Sequence, residues 1–334
     1  MRHYNIPVFV PHLGCPHDCV FCNQKRITGS EKPVDAKKII DEFLEKAKPS
    51  GYVEIAFFGG SFTGIPFEEQ CSFLSIAKKY IDSGQVDGIR LSTRPDYIDN
   101  KILDNLQKYG VTTIELGVQS LDEEVLRLSA RGHTSDAVYN AVSLIRNYDF
   151  KLGLQMMTGL PGDTFEKSIE TADRIAKLKP DFVRIYPTLV IRDTYLEKMY
   201  KSGEYVPFTL NETVDLLAEL KCIFDSSGID IIRMGLQTTD EISPDASVVA
   251  GPFHESVGEL VWNKYYLKII ENMCNDGGTY EVYCAGGHQS KVIGHKKNNV
   301  NYLQTKRDIK ISVSDMPEIK PGELKIVEVK KDCF

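Results

Sequence analysis

The sequence predicts an α/β fold: a partial parallel (β/α)6 barrel over residues 1–235, followed by a small α+β domain over 236–334. Three observations predict it. Short β-branched or aromatic runs alternate with longer amphipathic segments, and strand then helix in repetition means parallel strands joined by right-handed crossovers. Glycine-rich and polar runs follow strand after strand, which is where the loops of a TIM-type barrel hold a ligand. After Gly235 the pattern changes to a polar stretch, Thr238 to Pro252, then one long helical pattern and several short strand-like pieces.

In chain order, the strand candidates are Ile6 to Val10, Val53 to Phe58, Gly88 to Ser92, Thr113 to Gly117, Leu152 to Met157 and Phe182 to Tyr186, with Ile229 to Ile232 at the margin as a seventh. Between them lie helix candidates Ala36 to Ala47, Phe67 to Ile81, Asn100 to Tyr109, Ser135 to Asn147, Thr164 to Leu178 and Leu210 to Ser226, with Ser135 and Thr164 as caps. Six strands leave a barrel open on one side, and an open side admits a large substrate. In the C-terminal segment a helix is expected from Gly258 to Asn275, and strands at Tyr280 to Cys284, Asp308 to Val313 and Leu324 to Val329.

Of the 334 residues, 42% are hydrophobic and 26% charged, enough for a substantial core. No apolar run reaches membrane-spanning length, and Met1 to Leu13 lacks a signal-peptide pattern, so no membrane partner and a cytoplasmic location are expected. Three of the eight cysteines form a tight triplet; Cys71, Cys222, Cys274, Cys284 and Cys333 show no regular spacing, as in a reducing compartment. Cys274 and Cys284 read as small core residues rather than ligands of a second cluster. The net charge of −7 argues against nucleic-acid binding over the whole surface. Lys291, Lys296, Lys297, Lys306, Arg307 and Lys310 nevertheless crowd together near the end, as a solvated face or an RNA contact.

The triplet Cys15, Cys19 and Cys22 carries the most chemistry. Its C-x3-C-x2-C spacing places three thiolates around one centre, with no fourth cysteine nearby. A [4Fe–4S] cluster held this way keeps one iron open for a chelating ligand. A zinc site completed by His12 or His17 is the alternative, although no second paired half follows. Further on, Gly59-Gly60-Ser61 ends the second strand, and paired glycines bring backbone close to a ligand. Thr93-Arg94-Pro95-Asp96 and Glu115-Leu116-Gly117-Val118-Gln119-Ser120 end the third and fourth. Such ionisable groups at buried strand ends must meet each other, for instance as an Arg94 to Glu115 ion pair, or meet a ligand. Arg127 and the run Ala130-Arg131-Gly132-His133 offer a cation to a carboxylate. Gln155 and the turn Gly159-Leu160-Pro161-Gly162 fit a nucleoside pocket.

Phe21 directly before the last cysteine, together with the triplet, resembles the radical S-adenosylmethionine (SAM) superfamily. Tyr186-Pro187-Thr188-Leu189-Val190-Ile191-Arg192, Thr93 to Asp96 and Glu115 to Ser120 are similar to the radical SAM domain of the Elp3 family, the catalytic subunit of Elongator. Gly117 to Ser120 and Gly159 to Gly162 are also similar to oxygen-independent coproporphyrinogen oxidase and its relatives. The resemblance implies a [4Fe–4S] cluster on Cys15, Cys19 and Cys22, with SAM on the open iron. Reductive cleavage would yield a 5′-deoxyadenosyl radical that takes hydrogen from a substrate.

It implies SAM contacts from Phe21, Gly59, Gly60, Ser61, Thr93, Arg94, Glu115, Gln119, Arg131, Gln155 and Leu160. Ser61 stands where relatives carry an acidic residue. The resemblance further implies substrate contacts from Tyr186, Thr188 and Arg192, a ferredoxin or flavodoxin as electron donor, and tRNA or another RNA as substrate, met by Lys296, Lys297 and Arg307. The Elp3 acetyltransferase domain is not expected in the roughly 100 residues after Gly235. Val292 to Lys297 partly resembles a KH clamp loop, but Lys297 replaces the second glycine, so a true KH module is not expected. Rival readings are a small-molecule or tetrapyrrole substrate, or a haem-binding relative without turnover.

Overall fold

The computed structural model of the chain describes residues 3–10, 19–23, 34–236 and 246–329. It divides into two compact units, Met1–Pro207 with Ile229–Gly251, and Phe208–Gly228 with Pro252–Phe334. The boundary therefore does not fall at residue 235. The helix expected at 210–226 as the last of the barrel belongs to the second unit, because its apolar face packs there.

The first unit holds β1 (His3–Val10), α1 (Ala36–Ala47), β2 (Tyr52–Gly59), α2 (Phe67–Asp82), β3 (Gly88–Thr93), α3 (Asn100–Lys108), β4 (Val111–Gln119), α4 (Glu123–Leu128), α5 (Ser135–Ile145), β5 (Lys151–Thr158), α6 (Phe165–Lys177), β6 (Phe182–Pro187), β7 (Val190–Ile191), α7 (Tyr195–Ser202), β8 (Asp230–Met234) and β9 (Val248–Ala250). Seven strands form one sheet in the order β1-β2-β3-β4-β5-β6-β8. Every neighbouring pair is parallel. This is the open partial barrel foreseen, with the marginal segment as its seventh strand.

Alternation along the strands explains the layers. Ile55 and Phe57, Ile89 and Leu91, Ile114 and Leu116, Leu152 and Leu154, and Val183 and Ile185 are buried on the face that the helices cover. The opposite face carries Glu54, Arg90, Glu115, Gln155, Arg184 and Tyr186. A face built from such residues is a lined interior and not an oil core.

Several helices begin on a side-chain cap: Asp35 accepts from the Lys38 amide, Asp99 from Ile102, Asp122 from Val125 and Thr164 from Lys167. Thr164 caps as foreseen. Ser135 does not: Thr134 is the N-cap of α5, and the Ser135 amide instead donates to Glu123 Oε1 at 2.8 Å.

The second unit contains α8 (Leu210–Ser226), α9 (Val257–Met273), β10 (Thr279–Cys284), α10 (Gln289–Ile293), α11 (Asn298–Arg307), β11 (Lys310–Asp315) and β12 (Leu324–Glu328). A capping box between Thr209 and Glu212 starts α8. The sheet order is β11-β10-β12, with β10 parallel to β11 and antiparallel to β12. Trp262 stacks on Tyr266, and the Lys221 ammonium lies 3.7 Å from the Trp262 ring centroid. Tyr266 donates to or accepts from His288 Nδ1 at 2.6 Å and accepts from the Gly322 amide. Among the described residues no helix is long and apolar enough to cross a membrane.

Candidate active site

Cys15 lies outside the described residues. Cys19 is buried and Cys22 half-buried, and the Cys22 amide donates to the Cys19 carbonyl at 3.0 Å, so the two thiols flank one tight turn. Three bonds fasten this turn to the barrel. The Val20 amide donates to Ser129 O at 3.1 Å, Val20 O accepts from the Leu196 amide at 2.7 Å, and Asn23 Nδ2 donates to Arg192 O at 2.8 Å. Beneath it Val20, Val190, Leu196 and Tyr205 form an apolar cluster, with Phe21, Met199, Val249 and Ala250 packed against it. Phe21, half-buried, packs against this cluster within the cysteine turn.

Arg131 reaches the same place. After α4 the chain turns through left-handed backbone at Ala130 (φ 50°) and Gly132 (φ 78°), and between them the Arg131 side chain is directed inward and buried. Its Nη1 donates to Cys19 Sγ at 3.6 Å, Nη2 to Gly117 O at 2.7 Å and Nε to His133 Nε2 at 3.1 Å. Since Arg131 can only donate, His133 Nε2 accepts, and its Nδ1 carries the proton towards Thr134 O at 3.1 Å. Burial, and then the Arg131 charge, push the His133 imidazole down to about 4, so it stays neutral. Two of the five N–H bonds of Arg131 have no partner among the described residues. The sequence pointed to the run Ala130 to His133 as a source of a cation, but not to His133 as the neutral acceptor that holds Arg131.

Gln119 stands at φ 67°, where β4 bulges against β5, and its Oε1 accepts from Gln155 Nε2 at 3.4 Å. Gly59 takes φ 109°, a conformation that favours glycine. The serine beside Gly60 is turned inward: Ser61 Oγ lies 2.8 Å from Thr93 Oγ1, which is 2.6 Å from Thr63 Oγ1. Ser61 and Thr93 are both buried, so these hydroxyls bind each other and fix the glycine run.

Arg94 and Glu115 do not pair with each other. Arg94 forms two bonds to the Asp96 carboxylate, at 2.9 and 2.8 Å. Glu115 Oε1 accepts from Arg90 Nη1 at 2.7 Å and from Arg184 Nη2 at 3.2 Å, Arg184 Nε stands 2.7 Å from Oε2 as an ion pair, and Arg90 also binds Glu54 at 2.9 Å. Glu115 is therefore the centre of an interior ion network. Its parity with Arg90 and Arg184 on neighbouring strands brings them together.

At the end of β5, Leu160 is buried within a turn closed by Asp163, whose Oδ2 accepts from the Gly159 amide and the Ser168 hydroxyl, both at 2.7 Å. Burial pushes the Asp163 carboxyl up to about 6 against those bonds. Tyr205 donates to Gly159 O at 2.5 Å, linking this turn to the apolar cluster under the cysteines. Tyr186 is half-buried, with Arg184 Nη1 3.4 Å from its hydroxyl; Thr188 is buried, and the Arg192 side chain is exposed.

In the second unit Lys296 and Lys297 are exposed, both in left-handed backbone (φ 50° and 63°), in the connection between α10 and α11. Arg307 is half-buried and bonded within its own unit. Its Nε donates to Asp276 at 2.6 Å, and Nη1 and Nη2 to the carbonyls of Glu271 and Cys274.

The profile of the radical SAM superfamily matches residues 9–175, and that of the radical SAM C-terminal domain matches residues 180–266. This chain belongs to the radical SAM superfamily. Its similarity runs to Elp3-like members. It is 28% identical over 297 residues to a tRNA uridine(34) acetyltransferase of Methanocaldococcus jannaschii, covering 76% of this chain and 54% of that protein. It is 32% identical over 321 residues to human Elongator complex protein 3, covering 81% of this chain and 57% of that one. The chain spans about half the length of these curated relatives. Among solved structures, an archaeal Methanocaldococcus infernus Elp3 shares the fold, with a TM-score of 0.62 at 24% identity over 81% of this chain and 63% of the other. Superfamily members bind a [4Fe–4S] cluster and SAM. The donor set fits them: two thiols on one turn, with a buried guanidinium against the Cys19 sulfur to offset thiolate charge.

Proposed function

We propose that this radical SAM enzyme acts on RNA, with tRNA as the foremost candidate. The observation that carries the reading is that similarity to a tRNA uridine(34) acetyltransferase and to Elongator complex protein 3 extends over 76% and 81% of this chain. Cys15, Cys19 and Cys22 would hold the cluster, which with SAM would supply reductive cleavage to a 5′-deoxyadenosyl radical, with electrons from a ferredoxin or flavodoxin. Arg131 takes the SAM carboxylate with its remaining N–H bonds. Gln155 and Gln119 lie together where a ribose can bind. The half-buried Tyr186 lines the interior that the substrate enters.

The second unit supports the RNA reading. β10, α10, α11 and β11 follow in the order strand, helix, helix, strand, and the connection Gly294 to Lys297 joins the two helices. A true KH module is not expected, but this connection presents exposed lysines that can meet a phosphate backbone. Lys297 replaces the second glycine yet adopts the left-handed backbone a glycine favours. Arg307 has partners within its own unit, so the exposed cations offered to RNA are Lys296, Lys297 and Lys306.

Salt-dependent binding tests this. Affinity for tRNA falls steeply with salt as counterions are released, and replacing the three lysines by alanine weakens binding and flattens the slope by roughly one unit per lost phosphate contact. Absence of binding at low salt, or indifference to the triple change, refutes the reading.

A further inference from the structure

Arg131 is the one buried cation that touches a cysteine of the triplet among the described residues. Its three bonds run to three different elements of the site: the Cys19 sulfur, the Gly117 carbonyl in β4 and the His133 ring. Each constrains the others. A guanidinium is planar, so holding Nε on His133 and Nη2 on Gly117 O leaves Nη1 no orientation but towards Cys19. The fit is close, since a Cβ on Gly117 would lie 2.9 Å from Nη2. Burial, and then the Arg131 charge, keep His133 neutral, so its Nε2 lone pair stays available.

Hydrogen bonds to the sulfurs are among the factors that set an iron–sulfur potential, because they stabilise the extra negative charge of the reduced state. We infer that Arg131, through its N–H bond to the Cys19 sulfur, raises the reduction potential of the cluster, and that His133 is the positioning residue that holds the guanidinium there. This is separate from any contact of Arg131 with SAM, because it operates before SAM is bound. It rests on Cys19 being a cluster ligand.

The test is a redox titration of the anaerobically reconstituted full chain without SAM, followed by the electron paramagnetic resonance signal of the reduced cluster. Arg131→Leu lowers the midpoint so that the reduced fraction at a fixed potential falls at least tenfold, about 59 mV for a one-electron couple. His133→Leu moves it the same way although the positive charge is retained. His133→Gln, whose Oε1 can accept from Nε near the place of the ring nitrogen, restores it. Should His133→Leu fail to fold, Arg131→Leu and His133→Gln still decide. Loaded Arg131→Leu protein with the wild-type midpoint overturns the inference. Equal midpoints in wild type and both His133 variants reduce His133 to a packing role and overturn its part. Wild-type protein that loads no cluster overturns the cofactor assignment as well, so the two failures are distinguishable.

Discussion

Gly117 and Arg131 are matched in shape: the guanidinium donates to the Gly117 carbonyl at 2.7 Å, and a Cβ on Gly117 would stand 2.9 Å from the same nitrogen. A side chain there must displace a buried cation tied by three bonds. Gly117→Ala is therefore expected to keep the fold and weaken SAM binding by about 1.5–3 kcal/mol, the worth of a hydrogen bond to a charged group. Calorimetric titration of the cluster-loaded variant with SAM checks this.

Glu115 gives a second test, because it stands in a buried ion network. As the centre of a network with Arg90 and Arg184, it should matter for stability and not for SAM affinity. Glu115→Ala leaves buried arginines short of a partner and is expected to cost about 3–5 kcal/mol in denaturant unfolding. SAM affinity of the folded fraction should stay unchanged.

The pH dependence of stability tests Asp163. Its folded pKa, about 6, lies above the ordinary value of 3.8, so the folded state holds its proton more tightly than the unfolded chain. This contribution is fully present below pH 3.8 and is lost as pH rises through about 6. Asp163→Asn can keep an acceptor for the Gly159 amide and Ser168 without a buried charge. The variant should be more stable than wild type at pH 7–8, by on the order of 1–3 kcal/mol, with a flatter profile between pH 4 and 6. Thermal unfolding across pH 4–8 measures both.

Sequence pattern and structure agree best where one physical signal decides. Helix α1 has its expected bounds, since its N-cap is Asp35 and its apolar residues recur on one face. The strand ends were legible because glycines and polar groups interrupt β-branched runs there. Pairing within the site was not. Which carboxylate meets Arg90 or Arg184 depends on register between strands far apart in sequence, which local pattern does not contain. Helix α11 went unseen because its N-cap is Lys297 in left-handed backbone without a side-chain cap bond, and only Asn299 and Leu303 in it are buried. The assignment of α8 to the barrel failed because an amphipathic face shows that a partner exists and not which one.

The central claim is tested most directly by 5′-deoxyadenosine formation from SAM by the anaerobically reconstituted protein under a strong reductant. Wild type should bind about four irons per chain and release 5′-deoxyadenosine, while Cys19→Ala should lose both. Tetrahedral zinc in the anaerobically purified native protein, or SAM cleavage that survives Cys19→Ala, would contradict the account.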